Sequence, residues 1–423
     1  MARRTVAFIV VAALAGGGLV AVHRGRPAAA APRPTAAQLL DANIEFYEAV
    51  AARDRTGAMA LGQLALLYMR RARATGDYQD VLRSESAARR SLKNRAAHNT
   101  RARQALAASL LSEHRFTDAI GEAEALVERD PSNAALRASL GEIQMELGRY
   151  EDARASFAMV AGKTSDLSVA PRLARWLEIN GDPDSAFKLM NASLLAIMQR
   201  RDVPAEQQAW FWLRIGDLQL RRGHVREAEY AYERGLAVHA EDYRLLAARA
   251  KLAGARHQWK DAISYGQRAV AVSLDPATLG VMSDAYAALG DPAKAEEYAH
   301  AMEVAVSQQA TAYHRAWSLF LLEHGRRVDE VLSKAQEELV TRRDIYGYDV
   351  VAWALHAQGR DDEARAMRCC CTTRRRSTGP WDARRWPRMS SRAPARSTPR
   401  SGAPAHERVP RLRAPRLPPH RGC

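Results

Sequence analysis

A pattern that recurs with a period of roughly 34 residues most constrains the fold of this chain. In the copy that begins at Ala134, positions 7 and 8 are Leu140 and Gly141, and position 24 is Phe157. An earlier copy in the same register begins at Thr100. Each copy contains an apolar helix face, a short turn and a second helix face rich in small residues. The period therefore predicts pairs of helices that stack along the chain, because one pair alone cannot bury its apolar faces.

The register continues far beyond these two copies. Eight copies follow one another, and they begin at Thr100, Ala134, Leu167, Ala209, Tyr243, Pro276, Thr311 and Ile345. The step to Ala209 is longer than the others because the second helix of the third copy is predicted to continue to Arg201. A degenerate leading pair is predicted, with its first helix over Gly62–Arg73 and its second helix running to about Leu92. The amphipathic segment Ala36–Ala52 is expected to cap the array. No sustained alternation typical of strands occurs from Ala36 onward.

The pattern has Leu-Gly at positions 7 and 8, a small residue at 20, an aromatic residue at 24 and proline at 32, and it resembles the tetratricopeptide repeat. The resemblance implies an all-α fold, a right-handed α-solenoid of about eight antiparallel helix pairs. Position 8 is small because the two helices of a pair cross there. Some positions depart from the pattern, since Arg103 and Arg137 occupy position 4 and Gln144 occupies position 11.

In such repeats, positions 2, 5, 9, 12 and 13 of the first helix line a concave groove, which the resemblance implies as the site for a peptide or protein partner. The residues mapped there are Arg101, Gln104, Glu142, Met145, Glu146, Arg175, Glu178, Trp210, Asp217, Arg221 and Lys251. Trp210 and Met145 are predicted as apolar anchors. The alternative is that each is an ordinary solvated helix residue. The Lys/Asn set that some family members use to hold a C-terminal carboxylate is missing at positions 5 and 9.

Other chemistry has weaker support in the sequence. The segment Asp344–Asp349, with Trp353 and His356, gathers polar and aromatic groups, and packing between helices is favoured there over a ligand pocket. The 12 histidines show no spacing typical of a metal site. No phosphate loop, nucleophile elbow or Cys–His pair occurs in the repeat body. We therefore expect no cofactor, no metal and no catalytic residues, and predict that the protein is not an enzyme.

The net charge of +15 lies at the two ends of the chain. Met1–Thr35 has five Arg and no acid, and Arg368–Cys423 has 15 Arg with two acids, so the net charge of Ala36–Met367 is −3. A basic body, the usual signature of nucleic-acid binding, is absent, and a nucleic-acid partner is disfavoured. All four cysteines also lie after Met367, so no disulfide framework supports the repeats.

The first 26 residues are predicted to direct export or to anchor the chain, and the less favoured alternative is a buried N-terminal helix. Arg3 and Arg4 precede the apolar run Thr5–Val22, and the Pro/Ala-rich stretch 27–35 follows as a linker. A basic start, an apolar core and small residues are typical of a signal peptide. An apolar run of roughly 18 residues can also just span a bilayer. Both interpretations place the protein outside the cytoplasm, in the periplasm or an equivalent space, or at the membrane.

The composition changes at Met367, the predicted end of the repeat domain 36–367. Residues 368–423 hold half of the 18 prolines and no helical period, which is typical of a disordered segment. One interpretation is a basic arm that binds nucleic acid or an anionic surface. The favoured one is a shift of reading frame in a GC-rich gene near codon 368. The sequence thus predicts a protein-interaction scaffold. One alternative is that the tail binds nucleic acid or an anionic surface, and the other is a non-catalytic docking role in an enzyme complex.

Overall fold

The computed structural model of the protein describes residues 34–200, 202–308 and 315–373. The predicted signal or anchor segment lies outside the described residues, as does the Arg-rich tail after Thr373. None of the described helices is long and apolar enough to cross a membrane.

Nineteen α-helices account for most of the described part of the chain, which contains no strand. In chain order they are α1 (Ala36–Arg53), α2 (Ala58–Thr75), α3 (Tyr78–Asn94), α4 (Thr100–Ser112), α5 (Phe116–Arg129), α6 (Ala134–Glu146), α7 (Tyr150–Ala158), α8 (Ala170–Ile179), α9 (Pro183–Met198), α10 (Ala205–Arg221), α11 (Val225–Val238), α12 (Tyr243–Ala255), α13 (Trp259–Val272), α14 (Pro276–Ala288), α15 (Pro292–Ser307), α16 (Arg315–Glu323), α17 (Val328–Thr341), α18 (Ile345–Ala357) and α19 (Asp361–Thr373).

The described helices form nine pairs, from α2 with α3 to α18 with α19, and α1 packs on α2 at the N-terminal end. Most first helices also contact the first helix of the next pair. This arrangement confirms the predicted all-α solenoid. Five first helices begin at the predicted repeat starts, whereas α8 begins at Ala170 rather than Leu167 and α10 at Ala205 rather than Ala209. The last helix continues through Thr373, beyond the predicted boundary at Met367.

Short polar residues begin many of the first helices. The side chains of Asn133, Asp242, Asp275 and Asp344 accept hydrogen bonds from backbone N–H groups of the first turn. These groups have no partner within the helix, so the cap satisfies donors that would otherwise be exposed or unpaired. The four helices that these caps begin start at the residues predicted from the repeat register.

Contacts at position 8 show why that residue must be small. A Cβ atom added to Gly141 would lie 3.0 Å from the ring of Phe157, and one added to Gly216 would lie 2.3 Å from the ring of Tyr232. In both pairs the large ring of the second helix occupies the space that a side chain would need. Position 8 and position 24 of one repeat therefore pack directly against each other.

Two of the sequence departures have partners that account for them. The buried Gln144 accepts a hydrogen bond of 2.7 Å from the Ser156 hydroxyl, which joins the two helices of that pair by a polar contact. Arg103 forms an ion pair of 2.6 Å with Glu122 on the second helix of its own pair. Nε of Arg137, in contrast, is buried without a hydrogen-bond partner among the described residues.

The array curves until distant repeats touch. The loop between α17 and α18 meets the turn between α6 and α7, where the backbone N–H of Ile345 donates to the Tyr150 hydroxyl at 2.9 Å. Arg342 in that loop forms an ion pair of 3.2 Å with Glu146, and its guanidinium lies 4.6 Å from the centre of the Phe116 ring. We call this contact, formed by Arg342–Ile345 with Glu146–Tyr150, the closure. Because of the closure, the inner surface of the solenoid is walled by repeats that are far apart in sequence.

Gly148 is required at the closure for two reasons. Its φ is +73°, a left-handed conformation that L side chains rarely adopt. A Cβ atom there would also lie 2.2 Å from the carbonyl oxygen of Arg343. The repeat pattern alone explains a glycine in the turn at position 15, but the contact with Arg343 depends on the closure.

Candidate functional site

The inner surface of the solenoid encloses a cavity of about 1110 Å³. Its walls come from α2, α6, α8, α10 and α12, from the loop between α9 and α10, and from the start of α18. First helices dominate because they line the inside of the curve, while second helices lie outside. We call this space the arginine cavity.

Arginine is the commonest residue in its walls. The eight arginines are Arg70, Arg73, Arg172, Arg175, Arg200, Arg214, Arg221 and Arg244, and the acids are Glu142, Glu178, Asp202 and Glu206. The half-buried Trp210 and the side chain of Tyr346 add aromatic surface. The arrangement can bind an anionic group beside an apolar one.

Most of these arginines are already paired with acids. Arg172 pairs with Glu142 at 2.8 Å, and Arg214 pairs with Asp217 at 3.0 Å. Arg221 pairs with Glu178, Arg200 with Asp202, Arg175 with Glu146 and Arg244 with Asp242. These pairs fix the guanidinium groups in place and neutralise much of their charge.

Arg70 and Arg73 are different, because neither has an ion pair or a side-chain hydrogen bond within the described part of the chain. Both residues are exposed to the solvent inside the cavity, one helical turn apart on α2. Although Arg73 reaches water, the surrounding repeats desolvate its guanidinium enough to lower its pKa, and the positive charge of Arg172 acts in the same direction. The uncompensated positive charge of the arginine cavity thus lies on α2.

A second cavity of about 720 Å³ adjoins the first and shares Arg175 and Tyr346 with it. The exposed Leu274 contributes apolar surface to this cavity, and Arg315 contributes charge. The closure residues Glu146 and Arg342 form another part of its wall. The two cavities therefore lie next to each other on the inner surface.

Glu146 lies between the closure and the arginine cavity. Burial raises the pKa of its carboxyl group, while the charges of Arg175 and Arg342 act to lower it. For Arg175, burial alone would lower the pKa, but the negative charge of Glu146 raises it above its usual value. The two guanidinium groups therefore compensate a buried carboxylate, which has a structural role in addition to any contact with a ligand.

The structure brings six of the eleven predicted groove residues to the inner cavities. These are Glu142, Glu146, Arg175, Glu178, Trp210 and Arg221. Arg101, Gln104 and Lys251 are exposed but line neither cavity. Asp217 also lines neither cavity, and it pairs with Arg214, which does line the arginine cavity. The prediction was wrong for Met145 as an exposed anchor, because its side chain is only 2% exposed and belongs to the core between neighbouring pairs.

Several residues of the cavity were missed at the sequence level. Gly76 corresponds to position 15 of the leading repeat, so that repeat begins at Gly62, and Arg70 and Arg73 occupy positions 9 and 12. Both positions belong to the set that lines the groove. The two arginines were missed because the groove positions were mapped only onto the central repeats. Tyr346 occupies position 2 of the copy that begins at Ile345, so it carried the same signal, and the closure brings it to this cavity. In the described part of the chain, no group of three or more His, Cys, Asp or Glu side chains could hold a metal ion.

Comparisons with known proteins agree on the architecture. The family model described as tetratricopeptide repeat matches residues 110–170. No curated protein sequence matches the chain. Among solved structures, human IFIT1 in a dimer with m7Gppp-AAAA aligns with a TM-score of 0.50 and 11% identity over 80% of this chain and 78% of that chain. At this identity the likeness shows the fold alone.

Two further structures are similar at lower TM-scores. The Cut9–Hcn1 hetero-tetramer of the APC/C gives 0.48 with 16% identity and 75% of this chain covered, and the chain spans 59% of the length of that protein. PilW, a type IV pilus biogenesis factor, gives 0.40 with 18% identity over 53% of this chain and 99% of that one. Helical repeats of this kind generally act as protein-interaction scaffolds without catalysis of their own.

Proposed function

We propose that this chain, a member of the tetratricopeptide repeat family, is an interaction scaffold that holds a segment of a partner protein inside its superhelix. The observation that supports the proposal is the pair of adjoining cavities on the inner surface. Six residues at predicted groove positions line these cavities, and Trp210 offers the kind of half-buried aromatic surface that anchors a bound chain.

The closure favours one kind of partner for this space. An open solenoid can wrap a folded domain, whereas a walled interior of this volume suits a short, extended or locally helical segment. We therefore expect the bound segment to project from the folded part of the partner protein. Binding would order that segment, so affinity depends on a few well-placed contacts rather than on area.

The site of action is also a proposal. The apolar run Thr5–Val22 behind Arg3 and Arg4 supports a scaffold that works at the cell envelope, either released after export or held by this segment. Fractionation of cells that produce the full chain tests it. Recovery in membrane or extracytoplasmic fractions is expected, and recovery only in the cytosol would remove the envelope assignment.

Photocrosslinking tests the inner binding site directly. A photoreactive amino acid replaces Arg221 in the arginine cavity, and the control replaces Met159, which is 65% exposed and lines neither cavity. In the source cells we expect one dominant protein adduct from position 221 and none of that size from position 159. Equal adducts from both positions, or none from position 221, would contradict the proposal.

A further inference from the structure

The charge distribution of the arginine cavity allows the bound segment to be described further. Six of the eight arginines are ion-paired with acids, so their charge is balanced within the protein. Arg70 and Arg73 have no such pair among the described residues, and they lie one turn apart on the same face of α2. Two like charges at this spacing repel each other, and a bound anion relieves that repulsion.

We propose that the arginine cavity binds an acidic peptide segment, whose side-chain carboxylates pair with Arg70 and Arg73. The inference rests on the proposed function and specifies the chemistry of the partner segment. A guanidinium group binds a carboxylate through two parallel hydrogen bonds, and a spacing of one helical turn between the arginines suits two carboxylates of one short segment.

The opposite wall explains why a peptide is favoured over a nucleic acid. Glu142, Glu178 and Glu206 face the same space as the two arginines of α2. A nucleic acid carries a negative charge at each phosphate and would meet these carboxylates as well as the arginines. A peptide can place its acidic residues at α2 and neutral or basic residues elsewhere. The net charge of −3 on residues 36–367 also disfavours a polyanion.

Aromatic surface and volume complete the site. Trp210 and Tyr346 line the cavity along with the arginines, so apolar side chains of the segment have a surface to contact. The volume of about 1110 Å³ slightly exceeds the range of roughly 300–1,000 Å³ for sites that enclose drug-sized ligands, and it is enough for several residues of a peptide. We therefore expect an acidic segment that also contains an apolar residue.

Fluorescence anisotropy with defined probes tests the inference. The probes are a fluorescein-labelled ten-residue peptide with four Glu and one Leu, its analogue with Gln in place of each Glu, and a ten-nucleotide single-stranded RNA. The proteins are the full chain, the double variant Arg70→Ala/Arg73→Ala and the control Arg90→Ala/Lys93→Ala. The control removes two exposed cations at the same spacing on α3, which line neither cavity and have no ion pair within the described ranges.

The full chain is expected to bind the Glu peptide at least tenfold more tightly than the Gln peptide. The cavity variant should lose at least tenfold in affinity for the Glu peptide, and the control variant less than twofold. Equal affinity for the Gln peptide, or an equal loss in both variants, would overturn the inference. An unchanged affinity in the cavity variant would also overturn it, since binding would then belong to other arginines of the chain. RNA that binds more tightly than the Glu peptide, in a manner dependent on Arg70 and Arg73, would assign the site to nucleic acid instead.

Two measurements separate the possible failures. Circular dichroism melts of both variants establish that they fold, which is expected because the substituted side chains are exposed. The crosslink from position 221 is then repeated in the Arg70→Ala/Arg73→Ala background. If the partner adduct persists at full yield, the scaffold function stands and the acidic character of the segment is wrong. If position 221 gives no adduct even with Arg70 and Arg73 present, the scaffold function itself fails.

Discussion

Arg342 and Glu146 belong to distant repeats, yet one guanidinium group binds both the carboxylate and the backbone of the other residue. Nη2 of Arg342 donates to the Glu146 carboxylate and Nε donates to its carbonyl oxygen, each at 3.2 Å. Both side chains are largely buried. The contact therefore links two repeats that stacking alone does not bring together.

Loss of this contact should open the solenoid. Arg342→Ala removes the charged hydrogen bonds and is expected to cost about 2–3 kcal/mol at the closure. In small-angle X-ray scattering the radius of gyration should increase, and hydrogen exchange at the Ile345 amide should accelerate. Arg154→Ala is the control, because its ion pair with Glu151 is mostly exposed. Unchanged scattering and exchange in Arg342→Ala would mean that the closure does not depend on this side chain.

Glycine at position 15 provides a matched comparison. Gly148 and Gly223 both have positive φ, +73° and +83°, so alanine introduces a similar strain of about 1–2 kcal/mol at each. A Cβ atom at Gly223 meets nothing within 4 Å, whereas at Gly148 it would collide with the backbone of Arg343. We expect Gly148→Ala to lower the melting temperature clearly more than Gly223→Ala. Equal decreases in melting temperature would show that the closure accommodates the added methyl group at Gly148 without loss of stability.

The crossing point within a repeat should tolerate no added methyl group. Gly216→Ala places a methyl group 2.3 Å from the Tyr232 ring, and overpacking of this kind costs about 1–3 kcal/mol. Gly121 on α5 is exposed with nothing within 4 Å, so Gly121→Ala should stabilise that helix by about 0.5–1 kcal/mol. Thermal unfolding followed by circular dichroism measures both. A stabilising effect of Gly216→Ala would contradict the packing described for position 8.

A histidine between two repeats predicts a dependence on pH. Nε2 of His324 lies 3.0 Å from a carboxylate oxygen of Asp284, and this hydrogen bond raises the pKa of the imidazole. The contact between α14 and His324, which directly follows α16, should be strongest below the ordinary pKa of about 6.5, and should weaken as the pH rises through the raised value.

Nuclear magnetic resonance titration of the His324 ring measures that pKa directly. The neighbouring carboxyl of Glu323 also faces the imidazole, and burial raises its own pKa. Asp284→Asn should therefore lower the pKa of His324 and flatten the pH dependence of stability. A titration that is the same in Asp284→Asn and in the original protein would assign the raised pKa to another group.

The sequence determined the helix pairs more completely than their arrangement. Helix starts at Ala134 and Pro276 could be predicted to the residue, because each follows a short polar cap and lies in register with the repeat period. The start of α10 was predicted too late, at Ala209 rather than Ala205, since Pro204 begins the helix before the periodic pattern resumes. These features are local and depend on a few neighbouring residues.

The closure and the composition of the cavity could not be predicted in the same way. The contact of Arg342 with Glu146 depends on small rotations that accumulate over many repeats, and no single repeat encodes their sum. Met145 was misassigned for a related reason, because the packing of α8 beside α6 covers a position that the pattern places in the groove. Glu142 and Trp210, which lie on first helices near the middle of the array, both line the inner cavity, and their contact with a partner stays a prediction.

Open repeat arrays can gain or lose whole repeats with little consequence for the others, because each unit contacts only its neighbours. In this protein Gly148 receives the backbone of Arg343, so the six helix pairs from α6 to α17 must span a set distance. One inserted or deleted pair would move Arg342 away from Glu146 by roughly the 10 Å width of a helix. A duplication would break the closure if it fell within the segment from α6 to α17. The closure therefore requires a fixed number of helix pairs between α6 and α17.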